Sequence, residues 1–389
     1  MGPAAPYAVI GPRRQVHVVN SAGKRITCSL PDDLMWGSWR VTQAATASYS
    51  WPTWSPDGDR IACFRVGQGE EGTAKVFLLD VRGVATTELA DLDGRLPIYL
   101  YWAPDASKVA VLSQREADLV LSSFDTHRIR PERRLAQGSP LFFTWAGSDR
   151  VAAYVGTDRS HQGQMILIDA RGTHERILLP GDPTNFCAPV WVDGEVVYVT
   201  RRRDHAVLVA GRADDPEPRE LETVNGLVAL VPSADGKSIA RAVAPDGDGT
   251  PYQELAVLDV SSGEIRQVSD SPCLAFLWSP LGDALVVARV DTERNLLVWE
   301  RIDLDGTKEH LVDMHPTRDL GFYLRFFEQY SQSHPLIDPT GTSLLVAGGL
   351  ADSNDGTARI WRVPLAGGPP TDMGEGLFAV YGPLCTATS

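Results

Sequence analysis

The pentapeptide Trp54-Ser55-Pro56-Asp57-Gly58 is followed at once by the apolar run Ile61-Ala62-Cys63-Phe64, and degraded copies of this pair return along the whole chain. The copies are Trp102-Ala103-Pro104-Asp105, Trp145-Ala146-Gly147-Ser148-Asp149, Trp191-Val192-Asp193-Gly194, Ser233-Ala234-Asp235-Gly236, Trp278-Ser279-Pro280-Leu281-Gly282 and Ile337-Asp338-Pro339-Thr340-Gly341, with a half-copy at Tyr381-Gly382-Pro383. Proline presets φ, aspartate bonds its own backbone and glycine supplies a positive φ, so each copy turns one strand into the next. A repeat of about 40–45 residues made of short strands is the signature of a β-propeller with one four-stranded blade per repeat.

A second turn keeps the same phase where the third strand of a repeat meets the fourth: Asp80-Val81-Arg82-Gly83, Asp169-Ala170-Arg171-Gly172, Asp259-Val260-Ser261-Ser262-Gly263 and Asp303-Leu304-Asp305-Gly306. The expected fold is therefore all-β, a single propeller over residues 1–389. Seven complete units precede residues 377–383, which read as an inner strand without successors. The N-terminus supplies the rest of that blade, with residues 7–10, 15–20 and 24–30 as its second, third and fourth strands. Both termini then share one blade, which closes the ring and removes open sheet edges. The count is eight blades; seven would require the repeat around Ser233 to be something else.

The Trp-Ser-Pro-Asp-Gly turn followed by Ile-Ala-x-Phe resembles the TolB-type, or PD40, relatives of WD40 propellers, and the pattern covers essentially the whole chain. The resemblance implies the fold and says little about function, because this group includes protein-docking subunits, substrate-gating propellers attached to prolyl-oligopeptidase-like hydrolases, and a few lyases. The chain contains no Gly-x-Ser-x-Gly elbow or His-Glu-x-x-His helix, and Gly236-Lys237-Ser238 lacks the glycine five positions earlier that a phosphate loop needs, so no hydrolase half is expected in it.

A net charge of −14 argues against nucleic acid or an anionic membrane as partner, since either requires a basic face. The basic clusters at 128–134 and Arg201-Arg202-Arg203 read as solvated loop and outer-strand charge. No leader and no apolar run of roughly 18 residues is visible, and the five scattered cysteines read as reduced thiols. A cytoplasmic protein without a membrane span is expected. No cofactor is expected either. Gly67-Gln68-Gly69-Glu70-Glu71-Gly72 has dinucleotide spacing, but the next element is a strand rather than a helix. Asp246-Gly247-Asp248-Gly249 and Asp303-Leu304-Asp305-Gly306 lack the later glutamate of a calcium loop and read as turns.

Departures from the repeat point to function. Two connections into inner strands are overlong, residues 31–49 and 314–333, and both fall on the face of the second-to-third-strand loops. In the second, Leu320, Tyr323, Leu324, Phe327 and Tyr330 follow helical spacing, predicting one helix of about 12 residues. Its apolar stripe either plugs the channel mouth or, through Phe322 and Phe326, faces a ligand. Trp36, Trp39 and Tyr49 join the same region. The leading expectation is a non-catalytic binding propeller that recognises a protein partner or a small ligand at this face, through Trp36, Trp39, Phe322, Arg325, Phe326, His334, His205 and Arg203. The alternative is a propeller enzyme. The histidines are similar in outline to those of oligogalacturonate lyases, which hold a metal near the channel. That resemblance implies His334, His315, His205 and Gln332 as ligands, with Arg203 or Arg325 clamping a substrate carboxylate; His161 lies in a loop of the same face.

Overall fold

The computed structural model describes residues 4–29, 47–67, 73–83, 85–128, 130–156, 163–171, 176–179, 182–183, 187–203, 205–212, 217–245, 251–352 and 356–384. Its strands form eight blades arranged in a ring. Blade 1 runs from its inner strand outward as Ala47–Trp54, Arg60–Gly67, Ala74–Asp80 and Thr86–Asp91. Blade 2 is Leu96–Trp102, Lys108–Arg115, Asp118–Asp125 and Arg133–Gly138. Blades 3 to 6 begin with the inner strands Leu141–Trp145, Val190–Val192, Leu227–Pro232 and Ala275–Trp278. The repeat around Ser233 joins the inner and second strands of blade 5 in an ordinary four-stranded sheet, so the count is eight.

The turns owe their shape to the residues that recur in them. Ser55 N–H bonds the Arg60 carbonyl at 2.8 Å, Gly58 N–H bonds the Ser55 carbonyl at 2.9 Å, and Gly58 takes φ +76°. At the third-to-fourth turn Asp80 Oδ1 accepts from Arg82 N–H at 2.7 Å. The run Ile61 to Phe64 is apolar throughout because a blade is covered on both faces. Ile61 and Cys63 pack into the largest core cluster, whereas Ala62 and Phe64 pack on the opposite side, toward Leu100 and Trp102 of blade 2. The repeated tryptophan also ties neighbouring blades together. The indole N–H groups of Trp102, Trp145 and Trp278 donate to the carbonyls of Thr53, Tyr101 and Val231 in the preceding blade, at 2.9, 3.0 and 2.9 Å.

Closure occurs where the sequence places it. Phe378–Tyr381 is the inner strand of blade 8, paired with Tyr7–Ile10 in the register Tyr7↔Tyr381 to Ile10↔Phe378, and followed by Val16–Val19 and Arg25–Thr27. Blade 7 departs from the pattern. Its three outer strands are Ser343–Leu350, Arg359–Pro364 and Thr371–Glu375, but its inner position is split. Met314, His315 and Pro316, the end of blade 6's outer strand Lys308–Pro316, cross over to pair with Leu350, Gly349 and Gly348, while Ile337 pairs with Leu344. The expected insertion 314–333 is thus narrower at its start and lies within an inner strand rather than before it. The first insertion, with Trp36 and Trp39, lies outside the described residues except for residues 47–49, which begin blade 1.

Candidate functional site

Between Pro316 and Pro335 the chain descends into the channel. Helix α1 spans Arg318–Arg325, capped by Thr317, whose hydroxyl accepts from Leu320 N–H at 3.2 Å; α2 spans Phe327–Tyr330. The single helix expected from periodicity is broken at Phe326, which takes φ −125° and ψ 31°. The break lets the second half turn its polar groups onto the walls. Gln329 forms two bonds with the Phe143 backbone, donating from Nε2 to the carbonyl at 2.7 Å and accepting at Oε1 from the N–H at 3.1 Å. Tyr99 and Tyr330 hydroxyls donate to the Gln329 and Ile98 carbonyls at 2.8 and 2.6 Å, and Thr144 donates to Gln332 Oε1 at 2.7 Å. At the outer end Arg14, in the second-to-third-strand turn of blade 8, holds Asp319 with two bonds of 2.6 and 3.1 Å.

The insertion therefore fills the mouth it was expected to cover. Leu320, Tyr323, Leu324, Phe327 and Tyr330 are buried in the main core, while Phe322 and Phe326 remain 41% and 39% exposed, their rings 5.0 Å apart. Arg325 places its guanidinium 5.7 Å from the Phe326 ring. Sequence reasoning passed over Trp51. Pro52 has no N–H to pair, the ladder with blade 1's second strand slips between Ser50 and Thr53, and Trp51 takes φ +55°. Its ring is thereby brought 4.5 Å from Tyr330, 5.4 Å from Phe322 and 5.3 Å from Phe378. The signal was the Trp-Pro pair inside an apparent inner strand.

His334 is 0% exposed. Its Nε2 shares a 2.8 Å bond with the Thr53 hydroxyl and its Nδ1 a 2.7 Å bond with the Ser333 hydroxyl, and burial pushes its pKa down to about 3. Both ring nitrogens are thus engaged in the core. His315 is exposed where blade 6 crosses to blade 7, and His205 and Arg203 are exposed at the second-to-third-strand hairpin of blade 4. Gln332 is bonded to Thr144 and to the Glu328 carbonyl. The four proposed ligands are not brought together, and the described residues hold no group of three His, Cys, Asp or Glu side chains able to share a metal ion. His161 lies outside the described residues.

The opposite mouth is open. Where the inner strands reach their first-to-second-strand turns, a cavity of about 540 Å³ enters the channel, walled by Tyr101, Trp145, Trp191 and Trp278 with Pro104 and Pro280. The Trp145 and Trp278 N–H groups are spent on blade-to-blade bonds, so these rings offer apolar surface. The insertion forms the floor, through Tyr323, Ser331 and Gln332, with Leu336 just beyond its end. Two floor hydroxyls, Tyr323 Oη and Ser331 Oγ, are buried without a hydrogen-bond partner among the described residues. Burial also raises the Tyr323 pKa, which keeps its hydroxyl neutral. None of the lining residues is charged. The volume lies within the range of roughly 300–1,000 Å³ typical of small-molecule sites.

Fold and cavity together define a closed β-propeller whose channel is plugged at one mouth and open at the other. The chain is structurally similar to a eukaryotic initiation factor (11% identity, 98% of each chain covered, TM-score 0.51). It is also similar to the propeller domain of the Trilobed protease from Pyrococcus furiosus (13% identity, 79% of this chain and 94% of that one, TM-score 0.50). TolB from Acinetobacter baumannii is a further structural neighbour, at 15% identity and TM-score 0.43; the match covers 78% of this chain and spans 62% of the TolB chain. At such identities the likeness establishes the fold, a β-propeller, and nothing finer. No protein-family profile and no curated protein sequence matches the chain. No helix among the described residues is long and apolar enough to cross a membrane. Cys28, Cys63, Cys187 and Cys273 are buried free thiols, and Cys385 lies outside the described residues.

Proposed function

We propose that this chain is a binding propeller that accepts an uncharged, largely aromatic or aliphatic group in the channel-mouth cavity, with the insertion as its floor. The observation that carries the reading is the pair of buried, unpartnered hydroxyls, Tyr323 Oη and Ser331 Oγ, beneath aromatic walls. A buried donor without a partner costs about 1–3 kcal/mol, and a ligand acceptor placed over the floor recovers that cost. An anionic sugar, as the lyase reading requires, would meet no cation here. Arg203 and Arg325 both belong to the opposite face, where a protein partner is the natural counterpart of the exposed Phe322–Phe326 pair.

The test uses three probes of one size, benzamide, benzoate and benzylamine, titrated against tryptophan fluorescence. Benzamide should bind and the two ions should not. Tyr323→Phe combined with Ser331→Ala should weaken benzamide by about tenfold with the ring still folded. Equal binding of the charged probes, or benzamide affinity unchanged in the double variant, would remove the cavity from the functional reading.

A further inference from the structure

Away from the channel, blades 2 and 3 enclose a second cavity, of about 220 Å³, lined by Lys108, Ser123, Asp125, Arg130, Arg133 and Arg171. We propose that it binds a phosphate group. The chain as a whole carries a charge of −14, which repels anions, so a site that gathers four cations stands against the general field. The segment 128–134 reads in the sequence as solvated charge. The fold instead brings Arg130 and Arg133 against Lys108, at the start of blade 2's second strand, and against Arg171 in the third-to-fourth turn of blade 3.

The donors are only partly committed. Lys108 Nζ donates to Ser107 Oγ at 3.1 Å and lies 3.6 Å from Asp149, and Arg130 Nε is 3.8 Å from Asp125, the two carboxylate distances being too long for hydrogen bonds. Asp125 Oδ1 already accepts from His127 and Arg128 N–H, each at 3.0 Å. Arg133 donates to the Ala170 carbonyl at 2.7 Å and pairs with no carboxylate among the described residues. Arg171 clamps Asp169 at 2.9 Å and lies 3.8 Å from Asp149. Three carboxylates, Asp125, Asp149 and Asp169, thus face four cations.

The observation that turns a charged crevice into a site is Ser123. Its side chain lies on the wall, the residue is 2% exposed, and its Oγ has no hydrogen-bond partner among the described residues. A hydroxyl, an ammonium and guanidinium groups approach from four elements, namely the second, third and fourth strands of blade 2 and the third-to-fourth turn of blade 3. A tetrahedral dianion can receive donors from all these directions, whereas a planar carboxylate would engage one fork. The volume admits a phosphate group and is below that of drug-sized ligand sites.

The experiment titrates the full chain with inorganic phosphate and with O-phosphoserine, following phosphorus NMR and calorimetry, with chloride at matched ionic strength as the screening control. One saturable site is expected for at least one probe. Arg133→Gln and Ser123→Ala should each weaken it by about tenfold, while Arg133→Lys, which keeps the charge, should lose less. Tighter binding of O-phosphoserine would assign the site to a phosphorylated side chain, and tighter binding of inorganic phosphate to the free ion. Absence of saturation with both probes, or equal affinity in a folded Arg133→Gln variant, would overturn the proposal. Melting temperatures of the variants separate a lost site from a lost fold.

Discussion

Glu328 sits on α2 with its Oε1 accepting from the Tyr252 hydroxyl at 2.8 Å, and burial raises its pKa from the usual carboxylate range to about 7. The groups facing it, Tyr252 and Cys187, are themselves pushed up by burial and bring no positive charge. The unfolded chain releases this proton near the ordinary value and the folded chain holds it to about 7, so stability contributed by Glu328 is complete at low pH and falls as pH rises through that window. The decline is about 3 kcal/mol. His334 works in the opposite sense, since its depressed pKa makes the fold lose stability as pH falls from the ordinary imidazole value toward about 3. The difference between wild type and Glu328→Gln isolates the carboxyl. Urea denaturation at about pH 5 and about pH 8 should show the variant gaining on the wild type by most of that amount at the higher pH, the remainder of the decline lying outside this interval, and equal differences at both would exclude the raised carboxyl pKa. His334→Ala should cost about 2–4 kcal/mol in the same assay, because it leaves a cavity and strips the Thr53 and Ser333 hydroxyls of a partner. The sequence located His334 at the head of an inner strand beside the channel. What it could not convey is which side chains close on the ring, since that depends on residues about 280 positions away.

The insertion is the element in which sequence and structure diverge most usefully. Spacing alone identified Leu320, Tyr323, Leu324, Phe327 and Tyr330 as one apolar stripe, and all five are buried. The break at Phe326 was invisible, because it serves hydrogen bonds from Gln329 and Tyr330 to distant blades rather than any local preference. The same distance hid the cavity, whose walls come from successive copies of the repeat and whose floor comes from the insertion. Burial of a large apolar side chain contributes roughly 1.5–3 kcal/mol, so the five together are comparable with the whole stability of a domain. Replacing residues 318–333 by a short Gly/Ser link should therefore abolish the cooperative melting transition. If the helix served only as a docking device, the linked protein would melt at the wild-type temperature. A milder variant, Thr317→Ala, removes the α1 cap and the 2.7 Å bond to the Leu377 carbonyl, and should cost about 1 kcal/mol by denaturant titration.

At the scale of the ring, the insertion and the closing blade depend on each other. Tyr381 N–H bonds the Pro335 carbonyl at 2.9 Å, the Tyr381 hydroxyl meets Ser343 Oγ at 2.8 Å, and Thr317 reaches Leu377, so the last inner strand holds both ends of the plug as well as the N-terminal strand. Deleting residues 375–389 should then do more than open a sheet edge. It should release the plug and give aggregated or unfolded protein by size-exclusion chromatography, and a monomer with an unchanged melting temperature would contradict a shared blade. The converse experiment adds a bond where the termini meet. Ala8 and Val380 stand directly opposite in the closing register. Ala8→Cys with Val380→Cys would link the two ends of the chain around nearly its full length, and constraint of so long a loop in the unfolded state contributes about 6 kcal/mol in the chain-entropy account. The denaturation midpoint should rise under oxidising conditions and return to the wild-type value with reductant. Failure of the pair to oxidise when the chain refolds in a thiol–disulfide buffer, where native burial of both sites is no barrier, would contradict the pairing and reopen the count of eight blades.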